Sequence, residues 1–133
     1  MLRVKDLDAA LNFYVKHLGL VEISRKDSPT GRFTLVFLGP TPEEPVVELT
    51  YNWDNTEPYD TGRFFGHLAF GVENIYDTCS ALQSAGVEIL RPPRDGYMAF
   101  VKSPDGASVE LLQMGNALPP LAPWDTMKNQ GDW

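Results

Sequence analysis

The stretch Val4-Lys5-Asp6-Leu7 begins a pattern that decides the fold, because the second half of the chain repeats it. A helical pattern runs from this stretch to Gly19, and a second one runs from Val72-Glu73-Asn74-Ile75 to Gly86. A Val-Glu-Ile triplet follows shortly after each glycine. A diverged repeat of this kind predicts two similar supersecondary units that bury their apolar faces together.

Each half of the repeat also carries a glutamate inside an apolar strand. Glu48 follows Phe37 by eleven residues, and Glu110 follows Phe100 by ten. Either glutamate alone is ordinarily interpreted as a solvated position on an antiparallel sheet. Their matching places in the two halves favour a shared role instead, and we predict that both are metal ligands.

Composition predicts one soluble, cytoplasmic domain. The chain has 133 residues, of which 43% are hydrophobic, so it is long enough for one core and too short for two domains of ordinary size. Its single Cys79 excludes an internal disulfide, and no stretch near Met1 is typical of a signal peptide or a membrane span. The net charge of -7 argues against a nucleic-acid partner, because such binding depends on Lys and Arg.

Helix and strand signals predict an α+β fold of two βαβββ modules. Module 1 covers about residues 1–55 and module 2 about residues 65–113, and together they form a single domain, 1–113. Residues 114–133 are predicted to form a C-terminal extended arm. For its Trp124 and Trp133 we favour docking on a partner subunit, with closure over the site or simple packing as the alternatives. The predicted strands lie near 1–4, 21–25, 32–38 and 45–51 in module 1, and near 67–72, 87–91, 97–102 and 107–113 in module 2.

The two helices are predicted from their caps and apolar stripes. Asp6 caps the first helix and Asn74 the second. The predicted stripes are Leu7, Leu11, Tyr14 and Leu18 in the first helix, and Ile75, Cys79 and Leu82 in the second. Ser103-Pro104-Asp105-Gly106 predicts a turn between the last two strands.

His67 is the third candidate metal ligand. Strand alternation places it on one face with Ala69 and Gly71, small residues that leave room beside an imidazole. A strand histidine alone is more often a hydrogen-bonded structural residue. The repeat places its counterpart two residues before Met1, so the sequence shows three of four expected ligands. Imidazole with carboxylates suits Zn²⁺ or Ni²⁺, and a site without thiolate argues against a purely structural zinc.

Several motifs together resemble glyoxalase I, lactoylglutathione lyase, of the vicinal oxygen chelate superfamily. The resemblance covers about residues 1–113 and excludes the arm. The motifs are Leu2-Arg3-Val4-Lys5-Asp6, Phe13-Tyr14 with Leu18-Gly19, Glu48-Leu49-Thr50-Tyr51-Asn52-Trp53, Gly66-His67, and Ser103-Pro104-Asp105-Gly106 followed by Glu110-Leu111-Leu112.

The resemblance implies a homodimer in which incomplete, barrel-like sheets are completed between subunits. Each site at the subunit interface would take His67 and Glu110 from one protomer, and Glu48 with a first-strand His or Gln from the other. That first-strand position precedes Met1, so we expect either an upstream residue or a water molecule there. One divalent metal per site is implied, with Ni²⁺ favoured by the compact stretch between Glu48 and His67, and with Zn²⁺ or Co²⁺ as alternatives.

The implied reaction isomerises the hemithioacetal of methylglyoxal and glutathione to S-lactoylglutathione through a metal-bound enediolate. Glu110 is the implied base, and Glu48 assists on the opposite face. Arg3, Asn52 and Arg63 match positions that contact the glutathione co-substrate in relatives. An apolar pocket for the substrate methyl group would be formed by Leu35 and Phe37, although core packing explains these two residues equally well.

Two other classes of protein remain open at this point. The same fold serves metal-free binding proteins that sequester drugs, and such a protein would hold no stoichiometric metal. Another metalloenzyme of the superfamily, an extradiol dioxygenase or an acyl-CoA epimerase, is the third option. Dioxygenases use two His and one carboxylate on Fe(II), which fits the context of Glu48 poorly.

Overall fold

The first part of the chain folds as the predicted βαβββ module. In the computed structural model, which describes residues 1–133, Met1–Asp60 is one of two compact units. It contains β1 (Leu2–Val4), α1 (Leu7–Leu11), β2 (Val21–Ser28), β3 (Phe33–Gly39) and β4 (Val47–Asn52). The strand order is β1-β4-β3-β2, with β1 parallel to β4 and the other pairs antiparallel.

The first helix departs from its predicted stripe because its hydrogen-bond register changes. Asp6 caps it as expected and accepts from the Ala9 N–H at 2.9 Å. Beyond α1 the chain continues as a π-helical segment, Asn12–His17. At its end the Leu18 N–H donates to the Phe13 carbonyl at 3.0 Å, which is five residues back instead of four. This wider spacing rotates side chains off the 3.6-residue period. The buried residues are Ala10, Phe13 and Tyr14, whereas Leu7, Leu11 and Leu18 are half-buried.

The second unit, Thr61–Trp133, is built in the same way but has one strand fewer. It contains β5 (His67–Val72), α2 (Ile75–Ser84), β6 (Met98–Lys102) and β7 (Ser108–Gln113). The order is β5-β7-β6, with β5 parallel to β7 and β6 antiparallel to it. Two small sheets with a few short helices confirm the α+β class.

The predicted features of α2 are confirmed. Asn74 accepts from the N–H groups of Tyr76 and Asp77 at 3.0 and 3.1 Å, as an N-cap should. The stripe of Ile75, Cys79 and Leu82 is fully buried, and α2 packs against β6 and β7. Past the helix end, Gly86 takes a φ of 85°, which only glycine adopts without strain.

The strand predicted near 87–91 is wrong. Only an isolated bridge joins Arg91 to Phe100. Pro92 and Pro93 follow directly, and they lack the N–H groups that would extend a ladder. The Leu90 carbonyl instead accepts from the Gln130 N–H at 2.8 Å. The alternation of apolar residues predicted an extended backbone, but it does not show which groups hydrogen-bond to the backbone N–H and carbonyl groups.

The buried residues of each sheet lie mainly on one face of its inner strands. In the first sheet the fully buried strand residues include Val36, Leu38 and Leu49, and in the second they are Ala99, Val101, Val109 and Leu111. The alternate residues on β3, β4 and β7 are mostly half-buried, as strand alternation predicts. None of the helices has the length and apolar character needed to cross a membrane.

The arm after residue 113 is tied to the second unit by its backbone and contains a short 3₁₀ turn, Trp124–Thr126. The Tyr76 hydroxyl donates to the Pro119 carbonyl at 2.8 Å, and the Leu118 N–H donates to the Gly96 carbonyl at 3.0 Å. We expected Trp124 to dock on a partner subunit. It is only 4% exposed in the single chain, so its burial requires no second copy.

The buried position of Cys79 predicts an unreactive thiol. Burial in apolar surroundings raises the pKa of Cys79 to about 12, and the thiolate is the form that reacts with alkylating agents. We expect iodoacetamide at pH 8 to leave the folded chain largely unmodified, as measured by intact mass. The same reagent should add one group per chain in denaturant. Complete modification under native conditions would contradict the buried placement of α2.

Candidate metal centre

Glu48 lies on the half-exposed face of the first sheet. The register of β3 and β4 pairs Glu48 with Phe37 and Thr50 with Leu35, so all four side chains share that face. Leu35 and Phe37 are half-buried, unlike the core residues on the opposite face. The Thr50 hydroxyl donates to Glu48 Oε1 across a long 3.4 Å. The carboxylate therefore stands beside an apolar surface that remains partly open.

A guanidinium is fixed at the same face of the first sheet. The parallel register places Arg3 next to Thr50, and Arg3 Nη1 donates to Asn52 Oδ1 at 2.6 Å. The Tyr59 hydroxyl donates to the same oxygen at 3.2 Å. Two of the three residues predicted to contact glutathione are thus joined directly. Tyr59 was missed, since nothing in the sequence marks its loop as a neighbour of Asn52.

His67 and Glu110 meet on the second sheet. His67 Nε2 lies 3.1 Å from Glu110 Oε2, and the two side chains are 44% and 14% exposed. The parallel register of β5 and β7 accounts for this approach, because it pairs His67 with Ser108 and Ala69 with Glu110. The methyl group of Ala69 leaves room for the imidazole to lean toward the carboxylate. Two of the three predicted ligands are therefore adjacent.

The spacing of this pair fits two ligands of one divalent ion. Donor atoms held about 2.1 Å from a common ion lie about 3.0 Å apart at the right angles of octahedral coordination and about 3.4 Å apart at the tetrahedral angle. The same separation serves a hydrogen bond when no ion is bound. Within the single chain, no group of three or more His, Cys, Asp or Glu side chains is arranged to hold a metal. The pair on the second sheet is thus a partial site.

Two further residues complete the description of the second unit. Phe100 lies directly opposite Glu110 in the β6–β7 register, and its ring edge meets the His67 ring with centroids 5.4 Å apart. The pairing of β6 with β7 makes Phe100 a neighbour of Glu110, but the sequence predicted no role for Phe100. Arg63 lies in the exposed segment before β5, so it is accessible to an anionic ligand.

The fold and these residues agree with a known superfamily. The profile of the glyoxalase/bleomycin resistance protein/dioxygenase superfamily matches residues 1–111. The chain belongs to that family.

Within the family, the chain is similar to glyoxalase I. It is 46% identical over 120 residues to a probable lactoylglutathione lyase of Synechocystis, covering 85% of this chain and 91% of that protein. The structure of the trypanothione-dependent glyoxalase I of Leishmania major matches with a TM-score of 0.80 and 41% identity, covering 85% of this chain and 82% of that one. Glyoxalase I from Zea mays matches with a TM-score of 0.77 and 34% identity over 86% of this chain and 43% of that one.

The two histidines of the chain offer a matched test of metal binding. We expect His67→Ala to weaken Ni²⁺ or Zn²⁺ binding by about 10²-fold, because His67 is a predicted ligand. His17→Ala should have no effect, since His17 lies at the end of the first helical segment, where its ring contacts Asn12, and not on a sheet face. Calorimetric titration of the metal-stripped protein measures both. Equal loss of affinity in the two variants would remove His67 from the ligand set.

Proposed function

We propose that this chain is a glyoxalase I that converts the hemithioacetal of an α-oxoaldehyde and glutathione to the S-2-hydroxyacyl thioester, with methylglyoxal as the simplest aldehyde. The observation that carries the proposal is the 3.1 Å approach of His67 Nε2 to Glu110 Oε2 on an open sheet face. The relatives named lactoylglutathione lyase support it, because their similarity extends over most of the chain.

We propose His67, Glu110 and Glu48 as the protein ligands of one divalent ion. A bound ion supplies Lewis-acid stabilisation for the negative charge that develops on the substrate oxygens. The segment between Glu48 and His67 is short, which on the resemblance to glyoxalase I favours Ni²⁺, with Zn²⁺ or Co²⁺ as the alternatives.

Glu110 is the proposed base. Its side chain is 14% exposed and is held on one side by His67 Nε2, so the carboxylate is partly shielded from water yet accessible. In the reaction it takes the proton from the carbon that came from the aldehyde and returns it to the neighbouring carbon, which leaves the atoms of the substrate rearranged and none lost. Glu48 would assist on the opposite face of the substrate.

Fixed cations on this acidic chain fit the thiol part of the substrate. Glutathione carries two carboxylates and one ammonium at neutral pH. Arg3 is oriented by Asn52 on the same face as Glu48, and Arg63 is exposed before β5, so both are available to bind carboxylates. The Asn52 amide would add a neutral contact. Leu35 and Phe37 lie beside Glu48 and would contact the methyl group of the substrate.

A homodimer would complete the site. A single chain contains no three-ligand group, although Glu48 and the His67–Glu110 pair each lie on a half-exposed sheet face.

Exposed strand edges also favour a dimer. β1 and β5 are edge strands, and the apolar residues Leu68, Phe70 and Val72 of β5 are only half-buried. The Phe64 side chain just before β5 is fully exposed, at 103%. An unpaired strand edge beside an exposed aromatic side chain is a candidate contact for another copy of the chain. The Zea mays chain, of which this chain matches 43%, is long enough for two such domains.

Removing the proposed base should abolish most turnover. We expect Glu110→Gln to lower kcat by about 10²- to 10⁴-fold, the usual contribution of a positioned base. The fold and the dimer should persist, because Gln has the same size. Glu88→Gln, at an exposed position after α2, is the control and should keep full activity. The assay follows thioester absorbance, and near-normal kcat in Glu110→Gln would exclude this role.

Sharing of ligands between subunits predicts rescue in mixed dimers. Glu48→Gln and Glu110→Gln should each be nearly inactive alone. After unfolding and refolding an equal mixture, about a quarter of the sites would combine an intact Glu48 with an intact Glu110, because half of the dimers are mixed and each of those has one complete site. Recovery of that activity is the expected result. Absence of rescue in a confirmed dimer would mean that each site lies within one chain.

A further inference from the structure

The side-chain oxygen of Asn52 accepts two hydrogen bonds from different parts of the first unit. Arg3 Nη1 donates to Asn52 Oδ1 at 2.6 Å, and the Tyr59 hydroxyl donates to the same atom at 3.2 Å. A guanidinium carries donors and no acceptor, so only the oxygen of the amide can face Arg3. The orientation of the Asn52 amide is therefore fixed by its partners, and its Nδ2 group lies on the other side.

Tyr59 reaches this amide from a loop. Arg3 belongs to β1 and Asn52 is the last residue of β4, so the pairing of these two strands accounts for their contact. Tyr59 lies seven residues beyond Asn52, in the segment that follows β4, and its side chain is half-buried. All three residues lie within the unit Met1–Asp60. The hydroxyl of Tyr59 thus holds Asn52 from a segment that no strand pairing fixes.

The contacts of Asn52 Oδ1 leave hydrogen-bond donors on this part of the sheet face. Arg3 is exposed, and its contact with Asn52 uses one of the five N–H donors of the guanidinium. Asn52 Nδ2 carries two more donors. We call these groups of Arg3 and Asn52 the donor pair. Two donor groups beside a positive charge suit a carboxylate, because an ionised carboxylate only accepts hydrogen bonds.

The donor pair lies at a distance from the reacting atoms. Asn52 shares its sheet face with Glu48, and four residues along a strand span about 13 Å. A group bound to the donor pair is therefore remote from the carbon that loses its proton. An extended tripeptide spans about 10 Å, so a carboxylate of glutathione can reach the donor pair while the sulfur lies nearer to Glu48.

We propose that Tyr59 is a positioning residue for the thiol part of the substrate. By holding Asn52 Oδ1 together with Arg3, its hydroxyl keeps the Nδ2 donors of Asn52 directed at a carboxylate of glutathione. This inference rests on the proposed function, since it takes Arg3 and Asn52 as contacts of glutathione. Tyr59 acts through Asn52 and contacts neither the reacting carbon nor the ion, so its hydroxyl contributes to binding and not to the chemical step.

Removing the hydroxyl alone tests this role. We expect Tyr59→Phe to raise KM for the hemithioacetal of methylglyoxal about threefold to tenfold, the usual effect of one hydrogen bond, with kcat changed less than about twofold. Tyr76→Phe is the matched control. It removes a hydroxyl that donates to the Pro119 carbonyl at 2.8 Å, so it should leave KM unchanged.

A double-mutant cycle with Asn52 distinguishes positioning from a general effect on the loop. Asn52→Ala should itself raise KM, and adding Tyr59→Phe to it should raise KM no further, because the hydroxyl acts through the amide. Equal effects of Tyr59→Phe with and without Asn52 would overturn the inference. An unchanged KM in Tyr59→Phe, or a loss confined to kcat, would overturn it as well.

Binding measurements separate this inference from the proposed function. S-methylglutathione carries both carboxylates but cannot react, and Tyr59→Phe should weaken its binding in calorimetry by the same factor as it raises KM. A native chain that shows this difference from Tyr59→Phe but no turnover refutes the proposed function and leaves the role of Tyr59 intact. Turnover with equal binding by the native chain and Tyr59→Phe refutes the role of Tyr59 alone. A native chain with neither binding nor turnover refutes both.

Discussion

Parallel pairing of the first and last strand of each unit is the constraint on which the candidate site depends. In the second unit, β5 beside β7 brings His67 to within 3.1 Å of Glu110, although the two residues are far apart in sequence. In the first unit, β1 beside β4 brings Arg3 to Asn52. A shift of one residue in either pairing would turn these side chains to the opposite face. The chemistry of both faces therefore depends on hydrogen-bond register.

The two faces of each sheet differ in burial. One face carries side chains such as Leu49 and Leu111, which are fully buried and stabilise the unit through apolar burial. The other face carries Glu48 in one unit and Glu110 in the other, where half-exposed positions keep polar atoms accessible. Because the buried core lies on the opposite face of each sheet, the face that carries the candidate ligands remains partly exposed.

Much of this arrangement was predictable from local pattern. Alternation identified the faces of Glu48, His67 and Glu110, and caps such as Asn74 marked helix starts, because these signals depend on neighbours in sequence. The missing strand near 87–91 and the π-helical turn of the first helix were not predictable in this way. The strand near 87–91 is absent because Pro92 cannot donate a ladder hydrogen bond and the Leu90 carbonyl accepts from Gln130 instead. The first helix widens because its backbone hydrogen bonds change their spacing. Both depend on competition among backbone partners.

The sequence by itself determined the plan of two modules apart from the strand near 87–91, the identity of three candidate ligands and the resemblance to glyoxalase I, because repeat, period and motif are properties of residue order. Only the tertiary structure decided that His67 touches Glu110, that Tyr59 joins Arg3 at Asn52, and that Trp133 stacks on Phe100. Contacts of this kind join segments with no shared pattern. Their geometry follows from register and from the path of loops and arm, which the packing of the whole unit sets.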